Sequence, residues 1–167
     1  MRIMGIAGWS GSGKTTLMVR LLPELIKRGY SVSTIKHAHH NFDIDRPGKD
    51  SYEHRRAGAT EVMISSENRW ALMHELLGQN DKSISELITH MSTVDILLVE
   101  GFKWESHQKI EVYRPSVGKP LLAPDDPNIV AVASDEVLKG LNVAVLQLDD
   151  IVGIADFIVD KICLESA

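Results

Sequence analysis

Near the start of the chain, Gly8-Trp9-Ser10-Gly11-Ser12-Gly13-Lys14-Thr15 fits the pattern G-x-x-x-x-G-K-[ST], and its flanks give that pattern physical meaning. Ahead of it, Ile3-Met4-Gly5-Ile6-Ala7 reads as a short buried strand. Behind it, Thr16-Leu17-Met18-Val19-Arg20-Leu21-Leu22 carries leucines at helical spacing. A strand, a glycine-rich turn and a helix N-terminus make an anion site, because backbone N–H groups converge there and the helix dipole adds positive potential. Gly8, Gly11 and Gly13 permit backbone conformations and close approaches that a Cβ blocks. The Lys14 ammonium is expected to reach the β and γ phosphates of a nucleotide, and the Thr15 hydroxyl to ligate Mg²⁺.

A second chemical signal is the strand end Leu98-Val99-Glu100-Gly101. Phosphate-loop proteins place a carboxylate at the end of a neighbouring apolar strand, where it holds Mg²⁺ or its waters and can orient an attacking water. Glu100 is the carboxylate at that end. Asp95 falls at the other end, about 16 Å away at the usual rise of a strand. Lys14 and Glu100 are therefore the candidates for any hydrolytic chemistry.

Three further groups carry weaker signals. His37, His39 and His40, with His54 beyond, form a histidine cluster; imidazole is a common metal ligand, but no cysteine assists, and phosphate contact, partner contact or plain solvation ranks above a metal site. Asp43, Asp45 and Asp50 are candidates for a second carboxylate in a Mg²⁺ shell, and Lys49, Arg55 and Arg56 for phosphate binding. Asp135 follows the apolar run Ile129–Ala133, where a base-reading residue would fall. A carboxylate there can accept both N1–H and the exocyclic amine of guanine, which adenine does not offer. The same position suits a helix cap, and no N-K-x-D motif is present to decide.

The elements that must position these groups alternate along the chain. A helix is expected over Lys14–Arg28, ending at Gly29, with Leu17, Leu21, Leu25, Leu22 and Ile26 as its apolar stripe and a kink at Pro23. Ser31–His37 reads as the second strand, so a βαβ unit and a parallel sheet follow. The ionisable stretch 37–58 then faces the ligand crevice at a strand's carboxyl end, with Asp50 or Ser51 capping a short helix that ends before Gly58. Thr60–Ser65 and Arg69–Glu75 read as an antiparallel hairpin. Ser83 and Glu86 form a capping-box pattern for a helix reaching about Met91. Val94–Gly101, the most apolar segment, reads as the central parallel strand. Lys109–Arg114, Ile129–Ala133 and Val143–Leu148 complete the strands. Asp150 caps a closing helix whose apolar face is Ile151, Ile154, Ala155, Ile158 and Ile162.

Composition bounds the function. The 167 residues suit one domain, and 44% hydrophobic with 25% charged residues is ordinary for a globular protein. A net charge of −5 argues against broad binding to nucleic acid or anionic membranes. Cys163 is the one cysteine, which excludes an intrachain disulfide and fits a reducing, cytoplasmic setting. The first strand begins so early that a signal peptide is not expected, and no apolar run approaches the ~18 residues of a membrane span.

Taken together and in this order, Gly8–Thr16, Ile35-Lys36-His37-Ala38-His39-His40, Asp45–Ser51, Arg56-Ala57-Gly58-Ala59 and Leu98-Val99-Glu100-Gly101-Phe102-Lys103 resemble the molybdopterin-guanine dinucleotide biosynthesis adaptor family. The resemblance runs from the first strand to the terminal helix. It implies a homodimeric GTP-binding protein, a weak GTPase at most, that assists molybdopterin guanylyltransferase in making or delivering the guanine dinucleotide form of the molybdenum cofactor.

The expected fold is therefore α/β: a single three-layer P-loop nucleotide-binding domain over 1–167, mostly parallel, with the hairpin as an antiparallel extension and candidate dimer surface. GTP is expected on Gly11, Ser12, Gly13, Lys14, Thr15 and Thr16, with Asp135 as the candidate base reader. Mg²⁺ is expected on Thr15 and Glu100. Rival readings are a small-molecule kinase or ATP-dependent ligase, for which Arg55 and Arg56 are the available phosphate clamp, and a metal-delivery GTPase built on the histidines.

Overall fold

The strand that leads into the glycine turn, β1 (Arg2–Ala7), is buried along its second half because it lies inside a six-stranded sheet. The computed structural model describes residues 1–38 and 42–164, and every ladder of that sheet is parallel. After β1 the chain forms α1 (Lys14–Lys27), β2 (Val32–Lys36), α2 (Asp50–Arg56), β3 (Glu61–Ser65), β4 (Trp70–His74) and α3 (Ile84–Ile88). It continues through β5 (Ile96–Glu100), β6 (Lys109–Tyr113), β7 (Ile129–Ser134), β8 (Ala144–Gln147) and α4 (Ile151–Leu164). The α/β class and the parallel sheet are as the sequence leads one to expect.

Contacts divide the chain into two compact units, Met1–His37 with Met91–Ala167, and Ala38–His90. In the first, the strand order is β2-β5-β1-β6-β7-β8. Consecutive strands β1 and β2 are separated by β5, which is how Glu100 comes to stand beside the glycine turn: Ile6 pairs with Glu100 on one side and Lys36 with Glu100 on the other. β5 is fully buried but not central; β1 and β6 take the middle. Its unbroken apolar run reports two covered faces, a property of any interior parallel strand.

Helices α1 and α4 pack together on one face. Leu17, Met18, Leu21 and Leu25 of α1 meet Ile154, Ala155 and Ile158 of α4 over Met4, Ile6, Ile96, Leu98, Ile110 and Val112. Met18 takes the seam position expected of Ile26, which is 56% exposed. The helix runs on past Pro23 to Lys27 and closes at Gly29, whose φ of 92° is the left-handed stop a glycine provides. Asp150 caps α4 as expected, its Oδ1 accepting the Gly153 N–H at 2.9 Å.

The opposite face of the sheet receives the loop 114–128. Leu122 packs on Ile129 and Val132, and two buried charged side chains of β6 hold the loop's backbone and its end. Glu111 accepts the N–H groups of Leu122 and Ala123, both at 2.9 Å, and Lys109 pairs with Asp126 at 2.8 Å.

In the second unit the hairpin forms as expected, with Met63 opposite Leu72 and Ser65 opposite Trp70. It is a two-stranded sheet of its own rather than an extension hydrogen-bonded to the parallel sheet. The capping box at Ser83 and Glu86 is present. At α2 the cap position belongs to Lys49, without a side-chain bond; Asp50 and Glu53 instead lie in the first turn, where the helix dipole favours negative charge. Among the described residues no helix is long and apolar enough to cross a membrane.

Candidate functional site

The glycine turn is shaped by backbone conformations that its residue types make accessible. Gly8 sits at φ 139°, where a Cβ would stand 2.5 Å from the Val112 carbonyl oxygen. Gly13 takes the N-cap of α1 at φ 100°. From there the helix begins abruptly. The Leu17 N–H reaches the Gly13 carbonyl at 3.0 Å, so the N–H groups of Gly13, Lys14, Thr15 and Thr16 precede the first helical bond and have no helical carbonyl to meet. Within the turn, Ser12 donates its N–H to the Trp9 carbonyl at 3.2 Å. The Ser12 hydroxyl is buried and finds no partner among the described residues.

Lys14 folds back over the turn, its Nζ donating to the carbonyls of Gly8 and Trp9, each at 2.9 Å. Burial holds its pKa below the ordinary lysine value; Lys103 and Lys36 press in the same direction, while Glu100 opposes them. An ammonium kept on two carbonyls amid other cations is poised for an anion. One residue on, the Thr15 hydroxyl donates to Glu100 Oε1 at 2.9 Å, and Lys36 Nζ stands 3.5 Å from the same oxygen. Thr15 and Glu100, expected from sequence to share a metal, are thus in contact.

The donor set fits Mg²⁺. A hydroxyl and a carboxylate are hard oxygen donors, and two protein ligands suffice for an ion that keeps waters and takes its remaining contacts from phosphates. A cluster of three or more His, Cys, Asp or Glu able to hold a metal is absent among the described residues. His39 and His40, central to the histidine reading, lie outside the described residues. The His37 ring packs on Phe102, with centroids 4.5 Å apart.

Asp135 is drawn toward the turn through a residue that the sequence reading passed over. Arg114, just past β6, donates from Nε to the Ser12 carbonyl at 3.2 Å and from Nη1 to Asp135 Oδ2. The helix-cap alternative for Asp135 does not arise, because no helix lies between β7 and β8; the turn after β7 is fixed by Ser134, whose Oγ accepts the Glu136 N–H at 3.1 Å. A signal for Arg114 existed in its place: it ends the strand that flanks β1, as Glu100 does on the other side.

The charged residues of 43–58 are partly spent on one another. Arg55 grips Asp45 at 2.8 and 3.3 Å and Asp43 at 2.7 Å, and the Asp45 side chain is almost wholly buried. These carboxylates and this arginine make a structural knot within the second unit. Asp95, at the far end of β5, accepts the Ser31 N–H at 2.8 Å and the Ser31 hydroxyl at 2.6 Å, which hold its pKa below the usual carboxylate value.

Comparison with known proteins places the chain in a family. The model of the family MobB, described as molybdopterin guanine dinucleotide synthesis protein B, matches residues 3–135. The molybdopterin-guanine dinucleotide biosynthesis adapter protein of Escherichia coli (strain K12) is 45% identical over 161 residues, covering 95% of this chain and 91% of the relative. Its Haemophilus influenzae counterpart is 41% identical over 165 residues, covering 93% and 86%. A crystal structure of molybdopterin-guanine biosynthesis protein B superposes with a TM-score of 0.74 at 27% identity, covering 95% of this chain and 99% of that one.

Proposed function

The chain belongs to the MobB family, and from that premise we propose that it is a GTP·Mg²⁺-binding adapter in the synthesis of molybdopterin guanine dinucleotide. The observation that carries the nucleotide reading is the contact of Thr15 Oγ1 with Glu100 Oε1, at 2.9 Å, beside the first turn of α1. A hydroxyl and a carboxylate side by side there supply hard oxygen donors of the kind a phosphate-bound Mg²⁺ would take. Thr15 and Glu100 would hold the ion, which neutralises phosphate charge when bound. The unbonded N–H groups of Gly13, Lys14, Thr15 and Thr16, with the positive-φ Gly11 and buried Ser12 before them, would cradle the phosphates, and Lys14 would exchange its two carbonyls for phosphate oxygens. Asp135 remains the candidate guanine reader, within reach of the turn through Arg114.

The partner in this reading is the guanylyltransferase that joins GMP to molybdopterin, and the cargo is molybdopterin or its guanine dinucleotide. Turnover by this chain alone is slow, below ~1 s⁻¹, at the low end of ordinary enzymes. Two arginines support that view by being paired with carboxylates: Arg114 with Asp135, and Arg55 with Asp43 and Asp45. The kinase reading thereby loses one of its two clamp residues. A homodimer is supported by the hairpin, where Met63, Leu72 and Trp70 share one face and are 62%, 40% and 65% exposed.

Equilibrium binding of GTP and ATP analogues to the parent and to Lys14→Ala, with and without the purified guanylyltransferase, tests the proposal. Loss of a charge-assisted contact predicts weakening by about 2–3 kcal/mol. Unchanged GTP affinity in Lys14→Ala, or fast multiple-turnover phosphate transfer to a small metabolite by the parent, refutes it.

A further inference from the structure

Beyond Glu100 the chain turns sharply. Gly101 and Phe102 both adopt left-handed backbone, at φ 94° and 47°. At Gly101 a side chain would stand 2.9 Å from the His37 Cβ, so glycine is needed there. Phe102 has no such licence, and a left-handed aromatic residue is strained. The turn's product is the position of Lys103. Its Nζ lies 4.2 Å from the ring centroid of Trp9, inside the glycine-rich stretch, and 5.3 Å from that of Trp104. Trp9 is itself fixed, because its indole N–H donates to the Pro120 carbonyl at 2.8 Å. Lys119 approaches the same ring at 6.0 Å.

A half-buried cation–π stack returns no more than a strained aromatic residue costs, so the stack alone does not account for the turn. No carboxylate pairs with Lys103 among the described residues. Its charge reaches Lys14 instead, together with that of Lys36, against the single opposing carboxylate Glu100. The loop mouth therefore carries an excess of ammonium groups over carboxylates.

We propose that Lys103, caged by Trp9 and Trp104, is an anion-binding residue that takes a terminal phosphoryl group at the mouth of the glycine loop. It rests on the nucleotide-binding reading, since Lys14 and the α1 N-terminus supply the neighbouring phosphate site. Two sources share this chemistry: the terminal phosphate of the nucleotide, and the phosphate of a pterin ligand.

The test measures binding of guanylyl imidodiphosphate, of GDP, and of 6-hydroxymethylpterin phosphate to the GDP-loaded full chain. Lys103→Met keeps the stem against the two indoles and removes the charge; Lys103→Arg restores a cation; thermal melting confirms that both variants are folded. The expected result for Lys103→Met is about tenfold weaker binding of the triphosphate analogue or the pterin phosphate, unchanged GDP affinity, and recovery in Lys103→Arg. Loss confined to the analogue identifies the nucleotide as the source, and loss confined to the pterin probe identifies the cargo. Parent affinities for both probes in Lys103→Met overturn the proposal, as does a uniform loss that Lys103→Arg fails to restore. Lys14→Ala measured in parallel separates the two readings: if it alone abolishes nucleotide binding while Lys103→Met is silent, the glycine-loop site stands and Lys103 has no part in it.

Discussion

Acidification should expose His107. The residue precedes β6, and both of its ring nitrogens are buried without a partner among the described residues. A Cβ on Gly5 would fall 2.5 Å from its Nε2, so the neighbouring strand leaves no room for a hydrating shell on that side. Burial, followed by the nearby Lys109 ammonium, pushes its pKa from 6.5 to about 4, against a smaller opposing pull from Asp126. A depressed pKa means that the unfolded chain takes up the proton first. The contribution of a neutral His107 is complete above pH ~6.5, shrinks as the pH falls, and is exhausted near pH ~4. Between pH 7 and 4.5 the formal loss is roughly 2.4 kcal/mol. The ring is only half-buried as a whole, and discounting its remaining solvent contact leaves about 2 kcal/mol. Urea unfolding of the parent and of His107→Phe at the two pH values isolates this amount, since Asp126 and Glu111 titrate in both proteins. The parent should lose about 2 kcal/mol more than the variant. Parallel losses in the two proteins would show that His107 is protonated without penalty and that the burial argument is wrong.

Three further outcomes follow from the site. Glu100→Gln keeps the shape and the Thr15 contact but removes the charge, so Mg²⁺-dependent GTP affinity should fall about tenfold while metal-free affinity barely moves; equal effects with and without Mg²⁺ would remove Glu100 from the metal shell. Asp135→Asn should relax the preference for GTP over ITP and XTP, and breaking its partly exposed pair with Arg114 should cost under about 1 kcal/mol in urea unfolding. An unchanged base preference leaves Asp135 as the partner of Arg114 alone. Gly8→Ala forces a Cβ against the Val112 carbonyl at a positive φ, and should destabilise the chain by at least about 2 kcal/mol; a melting temperature within a degree of the parent's would refute the close approach.

What was legible in the sequence was local. Lys14, Thr15 and the helix behind them are fixed by a motif whose meaning depends only on a strand, a turn and a helix in succession. Glu100 was legible because an apolar run ending in one carboxylate has few other uses. The strand order was not, since nothing within Ile96–Glu100 says that it inserts between β1 and β2. Lys109 and Glu111 show the limit most clearly. Their alternation with Ile110 and Val112 reads as a strand with one wet face, yet both are fully buried, because each charge is met by a loop arriving from eleven or more residues away. Arg114 and Lys103 were missed for the same reason: their partners, Ser12, Asp135 and Trp9, are distant in the chain. Asp45 and Arg55 were read as candidate ligands because sequence shows that charges are present, not that they neutralise one another.

The insertion of β5 beside β1 also sets a schedule. The glycine turn is synthesised well before the strands beside it: β1 has no neighbour until Ile96–Glu100 exists, and no second neighbour until Lys109–Tyr113 follows. At a translation rate of ~5–20 residues per second, that delay is roughly 5–20 s. Throughout it, the motif is complete as text and useless as a receptor: Glu100 has not been made, and Val112 is not there to shape the turn at Gly8. Nucleotide consequently cannot template the early chain. On the proposed nucleotide-binding reading it would only reward the finished one, adding its binding energy to a sheet already closed, as a lock and not as a mould.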